Sequence, residues 1–321
     1  MKKGTKIWLI VAASLVLAGA MIFVGVMTVF GWDFTKLSTV QYETKEYAIT
    51  EDYQNLSIVS NTADIVLVPA EGDESRVVCR EQKNLWYAVS VKDGTLVIEI
   101  EDHRKWYEHI GINFGTSKVT VYLPVDAYGA LAVRSSTGDV EIPKDFSFES
   151  VNILQSTGDV VCHASALNTM KITTSTGDIR VENLSVGTLD LSVSTGDITA
   201  SGVRCAGDVL VRTSTGKAVF RDVSCNSLTT VGDTGDLHLK NVIAVGGFSI
   251  KTDTGDVRFE ACDAAEILIK TDTGDVKGSL LSEKVFVVQT DTGSIDVPQT
   301  VSGGRCEITT DTGDIKISLH E

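Results

Sequence analysis

Five copies of the tripeptide Asp-Thr-Gly occur in the second half of this 321-residue chain. The copy that begins at Asp291 is followed by Ser294 and preceded by Val287 and Val288, as in the catalytic loop of a pepsin-like protease. Such an enzyme needs two aspartates that face each other and share one proton. Asp291 is therefore a candidate catalytic acid, and the surrounding sequence decides whether it has a partner.

The Asp-Thr-Gly copies belong to a longer repeat. A Thr-Gly pair occurs ten times, with 19 or 20 residues between successive glycines, and a fixed period of this size indicates a solenoid or an array. Serine precedes the first five pairs and aspartate precedes the last five. The repeat glycines are Gly138, Gly158, Gly177, Gly196, Gly216, Gly235, Gly255, Gly274, Gly293 and Gly313.

Apolar residues, many of them β-branched, recur five positions before and two positions after nearly every repeat glycine. This alternation is typical of strands, and its parity changes at the glycine, where a corner would need the positive φ that glycine adopts without strain. An array of hairpins is one compatible geometry. We favour an all-β parallel solenoid of about ten coils, because stacking explains why each column keeps one residue type. At about 4.8 Å per coil, the rod would be on the order of 50 Å long.

In a solenoid the five Asp-Thr-Gly loops would stack as neighbours along one edge, and would not face each other across a cleft. The chain also has no second domain-sized half to supply the opposite lobe. We therefore expect no catalytic residues and no enzyme, and interpret these aspartates as corner residues. The other four are Asp233, Asp253, Asp272 and Asp311.

The repeated Asp-Thr-Gly-Asp sequence also suggests a calcium ladder, because a hard cation would relieve repulsion between stacked carboxylates. The alternative is a solvated acidic edge whose aspartates accept hydrogen bonds from turn amides. We favour the second interpretation, since calcium-binding repeats use longer Gly/Asp nonapeptides, and we expect no resident metal or cofactor. The calcium candidates are Asp253, Asp256, Asp272 and Asp275.

The N-terminus predicts a transmembrane signal anchor. Three lysines precede an uncharged stretch that is long enough to cross a bilayer, and their charge favours a cytoplasmic N-terminus. The predicted organisation is a cytoplasmic N-terminus at 1–6, an anchor at 7–32, an irregular β cap at 33–130 and the solenoid at 131–321. A cleaved signal peptide is the alternative, although its apolar region is usually about 7–15 residues long. The net charge of -15 disfavours nucleic-acid binding.

Two further groups of residues suggest chemistry. The segment 99–110 contains Asp102, His103, Trp106, Tyr107, Glu108 and His109. These residues would suit a polysaccharide-binding loop, a plain polar connection, which we favour, or metal binding through His103 and His109. Six cysteines occur without a Cys-x-x-Cys spacing, so a zinc site is poorly supported. Cys205 and Cys225 lie one coil apart, and both a disulfide and two buried free thiols remain open.

The repeated Thr-Gly-Asp units, with the segments SNTADIVLVP and VTVYLP, resemble the bacterial group known as "putative adhesins" or β-strand repeat-containing proteins. The resemblance implies an extracytoplasmic, membrane-anchored β-solenoid and supplies no catalytic residues. The predicted function is a structural or interaction role in the cell envelope, towards an envelope polymer or a surface protein. Alternatives are a polysaccharide-binding or polysaccharide-cleaving β-helix, or a sensor of envelope stress that acts through a partner membrane protein.

Overall fold

The computed structural model describes residues 3–33, 40–106 and 115–320. These residues form one helix followed by 26 β-strands and the turns that connect them. The helix, α1 (Lys3–Val29), precedes all the strands. Neighbouring strands are mostly parallel and in register, so the predicted all-β parallel solenoid with one N-terminal apolar helix is confirmed.

Short strands occupy the N-terminal half of the chain. They are β1 (Tyr42–Ile49), β2 (Asn55–Ser60), β3 (Ala63–Pro69), β4 (Ser75–Gln82), β5 (Leu85–Lys92), β6 (Thr95–Asp102), β7 (Ser117–Leu123), β8 (Ala127–Thr137), β9 (Val140–Ile142), β10 (Ser147–Thr157), β11 (Val160–Cys162), β12 (Ser165–Thr176) and β13 (Ile179–Glu182).

The C-terminal half includes two strands of 17 and 18 residues that extend along two sides of the solenoid. The strands are β14 (Ser185–Thr195), β15 (Ile198–Ser201), β16 (Arg204–Cys205), β17 (Val209–Thr215), β18 (Ala218–Cys225), β19 (Leu228–Thr234), β20 (Leu237–Thr254), β21 (Val257–Thr273), β22 (Val276–Leu280), β23 (Lys284–Thr292), β24 (Ile295–Asp296), β25 (Gly304–Thr312) and β26 (Ile315–Leu319).

Each coil is a long strand, a corner at Thr-Gly-Asp, a second strand and a return. All ten repeat glycines have φ between 115° and 155°, a region that side chains rarely adopt. Sterics add a second requirement, because a Cβ built on Gly255 would lie 2.1 Å from the carbonyl oxygen of Gly235 in the neighbouring coil. Only glycine therefore allows the coils to stack this closely at the corner.

The core is the interior of the coil stack, to which every second residue of each strand contributes. The same column position is filled in successive coils, as when Ile153 pairs with Val133 on one side and Ile172 on the other. All three side chains are at most 3% exposed. Full burial of such a side chain stabilises the fold by about 1.5–3 kcal/mol, so the repeated columns supply most of the driving force.

The N-terminal end of the solenoid is closed by antiparallel strands. Strands β2 and β3 still stack in parallel on β8 and β9, with the segment 61–65 as their corner. Beyond them, β4 pairs antiparallel with β7, β1 with β4, and β5 with β6. Two features protect these outer strands from further pairing: β1 carries several charges, and Lys45 forms an ion pair with the buried Glu81 at 2.6 Å.

The last two coils stack in the reverse of their sequence order. Strand β25 pairs with both β21 and β23, so the C-terminal coil lies between the coil of Gly274 and that of Gly293. The coil of Gly293 is therefore outermost. Val288 and Ile295, which the column pattern places in the core, are only partly covered there, and Ile295 is 47% exposed whereas Ile315 is fully buried.

Candidate functional site

The aspartates that follow the repeat glycines form a hydrogen-bonded ladder along the corner edge. One carboxylate oxygen of each accepts the backbone N–H of the equivalent residue in the next coil, at 2.8–3.0 Å. The donors, each followed by its acceptor, are Asp139 to Asp64, Asp159 to Asp139, Asp178 to Asp159, Asp197 to Asp178, Lys217 to Asp197, Asp256 to Asp236, Asp275 to Asp256, Asp314 to Asp275 and Ser294 to Asp314.

The ladder explains the two departures from aspartate in this column. Lys217 donates its N–H to Asp197 but has no carboxylate to offer to the next coil, so the ladder is interrupted before Asp236. Ser294 lies on the outermost coil, where no further amide needs an acceptor. Its N–H and its hydroxyl both donate to Asp314 at 2.8 Å, and Ser294 therefore ends the ladder.

Basic residues offset part of the negative charge on this edge. Arg258 forms an ion pair with Asp256, and Lys277 forms one with Asp275. The Lys277 ammonium and the Asp314 amide hold the pKa of Asp275 below its ordinary value. This charge balance supports the turn-amide interpretation of the aspartates over a calcium ladder, because the repulsion that a cation would relieve is already reduced.

The aspartates that precede Thr-Gly, including the calcium candidates Asp253 and Asp272, have exposed side chains on the same edge. Within the described residues, no group of three or more His, Cys, Asp or Glu side chains is arranged to hold a metal ion. Asp291 lies beside Asp311 on adjacent strands of this edge, and the described residues place no second lobe opposite them. The fold therefore does not build the cleft of an aspartic protease.

A lateral groove of about 720 Å³ runs along the stack at the start of the long strands. Its floor is a column of buried residues from five successive coils: Tyr128, Phe148, Ala166, Val186 and Cys205. Strand β12 has one extra residue after Ala166 relative to both of its neighbours, β10 and β14, and this bulge contributes one wall of the groove. Leu167 on this wall is 75% exposed, so an apolar side chain is presented to the groove entrance.

A second, polar hollow of about 430 Å³ adjoins the groove and shares Ser185 and Arg204 with it. Asn183, Asp222 and Asn241 line the hollow, and the Asn241 amide donates to the Asp222 carboxylate at 2.9 Å. These residues belong to a second corner of the coil, six positions after the repeat glycine, where φ is again positive. The members of this corner are Asn183, Gly202, Asp222, Asn241 and Ala261.

The predicted loop at 99–110 is described only in part. Asp102 lies at the end of β6 and forms an ion pair with Arg104. His103 stacks on Trp86 with ring centroids 4.3 Å apart, and Trp106 is exposed. Tyr107, Glu108 and His109 lie outside the described residues. The described part lies next to the closed end of the solenoid, and none of its residues lines the groove.

All six cysteines are free and buried. Arg204 pairs with Ser224, which places Cys205 and Cys225 side by side in adjacent coils. Burial raises the pKa of both thiols, that of Cys225 to about 12, so neither thiolate is populated at neutral pH. The disulfide between them stays a prediction.

Comparison with known proteins identifies a family. Residues 53–217 and 206–321 match the family described as Toastrack DUF4097. A "putative lipid binding protein" from Parabacteroides distasonis is 15% identical, with a TM-score of 0.46 over 88% of this chain and 98% of that one. A "putative adhesin" from Bacteroides fragilis is 14% identical, with a TM-score of 0.42 over 87% and 97%. No curated protein matches the chain. Identities and TM-scores this low carry no argument about function.

Replacing Asp275 tests the structural role of the ladder. Asp275→Ala leaves the N–H of Asp314 without its acceptor and should lower the free energy of unfolding by about 1–2 kcal/mol. Asp275→Asn keeps an acceptor oxygen and should cost less, and Asp272→Ala, at an exposed position, should change it by less than about 0.5 kcal/mol. Chemical denaturation measures all three. Equal losses for Asp275→Ala and Asp272→Ala would contradict the ladder.

The same ladder predicts a stabilising substitution. Lys217→Asp supplies the missing acceptor for the amide of Asp236 and joins the two halves of the ladder, so we expect the melting temperature to rise by about 2–4 °C. Lys217→Asn, which adds an acceptor without the negative charge, is the matched comparison. A melting temperature that falls for both variants would show that no acceptor is needed at this corner.

Thiol counting tests the cysteines. We expect a maleimide reagent to label almost no cysteine in the folded chain and all six after denaturation without reductant, because burial protects each thiol. Mass spectrometry gives the number of labels. Four labels, with the 205 and 225 peptides joined until reductant is added, would establish the disulfide instead.

Proposed function

Because the chain belongs to the Toastrack DUF4097 family, we propose that it is a membrane-anchored, extracytoplasmic β-solenoid with a structural or interaction role in the cell envelope. Helix α1 is the observation that carries the proposal. The segment Gly4–Val29 is long and apolar enough to cross a bilayer, and its apolar window is not buried against the rest of the protein. Side chains such as Leu15, 69% exposed, need an apolar environment that the solenoid does not provide.

The polar groups of α1 are compatible with a bilayer. The hydroxyls of Ser14 and Thr28 donate to the carbonyl oxygens of Ile10 and Val24, at 2.8 and 2.7 Å. These bonds satisfy the hydroxyl donors within the helix, which matters where no water is available. The basic residues before the apolar stretch favour a cytoplasmic N-terminus, and the solenoid would then lie outside the cytoplasm.

The solenoid itself suits an interaction role. Parallel coils in register form a stiff rod whose edges present the same residue types at regular intervals, and such extended surfaces are how repeat proteins bind partners. We infer an envelope polymer or a surface protein as the class of partner. Polysaccharide cleavage has less support: Glu149 is the single carboxylate among the residues that line the groove, and glycoside hydrolysis uses a pair.

Substitution within α1 tests the anchor. Leu15→Arg together with Leu17→Arg should move the full chain from the membrane fraction to the soluble fraction, because each arginine at a helix centre costs about 2.5–3.5 kcal/mol on insertion. Leu15→Ile with Leu17→Ile is the apolar control and should remain in the membrane. A membrane fraction that does not change with the arginines would refute anchoring by α1.

Two further measurements define orientation and processing. In intact cells of a host without an outer membrane, a membrane-impermeant amine reagent should label the exposed Lys251 and Lys270, and should reach Lys6 only after lysis. The mass of the membrane-bound chain should include residues 1–32. A mature chain that starts after this segment would replace the anchor with a cleaved signal peptide.

A further inference from the structure

The lateral groove and the polar hollow beside it together have the character of an amphiphile site. The groove has an apolar floor and an exposed apolar residue on its wall. The hollow is more polar than the groove, since six of its ten lining residues have side chains that donate or accept hydrogen bonds, beside Leu184, Val223 and Ile243. The two meet at Ser185 and Arg204. A ligand that fills both must have an apolar chain at one end and a polar head at the other.

The length of the groove restricts the apolar part of this ligand. Five coils define the floor, and four spacings of about 4.8 Å make it about 19 Å long. One leaflet of a bilayer, half of a hydrocarbon core about 30 Å thick, is about 15 Å deep. The groove therefore has the length of a single extended lipid acyl chain, and its volume falls within the range of small-molecule sites, about 300–1,000 Å³.

The charge at the junction between the groove and the hollow restricts which headgroup the ligand can have. Arg204 is exposed, and no ion pair involving it is present among the described residues. A guanidinium binds phosphate through two parallel hydrogen bonds, which makes it suited to an anionic headgroup. Deeper in the hollow, the carboxylate of Asp222 accepts a hydrogen bond from Asn241 and can accept others, and the side-chain amide of Asn183 can donate and accept. These groups would suit hydroxyls of a headgroup that extends beyond the phosphate.

We propose that the groove binds one acyl chain of an anionic membrane phospholipid, with the phosphate at Arg204 and a hydroxylated headgroup in the hollow. The connection between α1 and the solenoid brings the groove close to membrane lipids. Strand β1 at the closed end begins 13 residues after the last residue of α1, so a linker of at most about 47 Å connects the solenoid to the helix. The site is additional to the proposed envelope role and does not require that α1 remains uncleaved.

Photocrosslinking of the full-length chain tests this site. The chain is reconstituted in phosphatidylcholine vesicles that contain phosphatidylglycerol with a photoreactive group on one acyl chain. After irradiation, we expect labelled peptides from the groove, at residues 127–129, 147–149, 165–167, 185–187 and 204–206, in addition to peptides of α1. Label confined to α1 would overturn the proposal, whereas groove label that persists on a chain that has lost α1 would support the site independently of the anchor.

A matched pair of variants within β14 separates the groove from the rest of the surface. Ser185→Trp fills the junction and should reduce groove labelling about tenfold, a change that corresponds to 1.4 kcal/mol in binding. Ser194→Trp introduces the same side chain at an exposed position near the corner edge and should leave the labelling unchanged. Melting curves establish that both variants fold. Groove labelling that is equal in the two variants would rule out this location.

The headgroup is tested by exchanging the charge at the junction. With photoreactive phosphatidylglycerol and phosphatidylcholine compared at equal concentration, the native chain should favour phosphatidylglycerol in the groove. Arg204→Gln should remove most of this preference, and Arg180→Gln, which removes an arginine on another side of the stack, should retain it. No preference in the native chain would overturn the anionic head.

Discussion

The close stacking of successive coils at the Thr-Gly-Asp corner is the constraint on which the rest of the structure depends. A glycine with positive φ lets one corner approach the next, and the aspartate that follows it accepts the amide of the adjacent coil. Because the bond joins equivalent residues, it holds the coils in register, and register decides which side chains face inward. The buried columns, the regular edges and the lateral groove all follow from that alignment.

Much of this fold can be predicted from the sequence, because each of the ten repeats must meet the same physical requirements. The interval between glycines and the alternation around them indicate parallel coils, and the five stacked Asp-Thr-Gly loops, Asp291 among them, disfavour a two-lobed protease. The same analysis misplaces Val288 and Ile295, since the column pattern does not reveal which coil is outermost. Any parallel strand accepts any other in register as its neighbour, so the inverted order of the last two coils has no counterpart in the spacing.

The candidate binding surface was harder to predict for a related reason. The second corner keeps the same interval as the first, but its members are Asn, Gly, Asp and Ala, which have no common side-chain chemistry, and only the first three tolerate left-handed backbone readily. The bulge after Ala166 arises from a single extra residue in β12. Grooves of this kind exist where the repeat is imperfect, and only the three-dimensional register shows which residues of the neighbouring coils lie beside the bulge.

The inverted order of the last two coils has a consequence for how the molecule forms and comes apart. In most of the stack each new coil binds the one made just before it, about 20 residues earlier in the chain. Strand β25 instead contacts β21 at a separation of 39 residues, as between Ile269 and Ile308, and β23 can dock only on β25. Contacts so distant in sequence slow folding, because a longer loop must close first. Once in place, the final segment is held from both sides, so it cannot fray until the coil of Gly293 has detached.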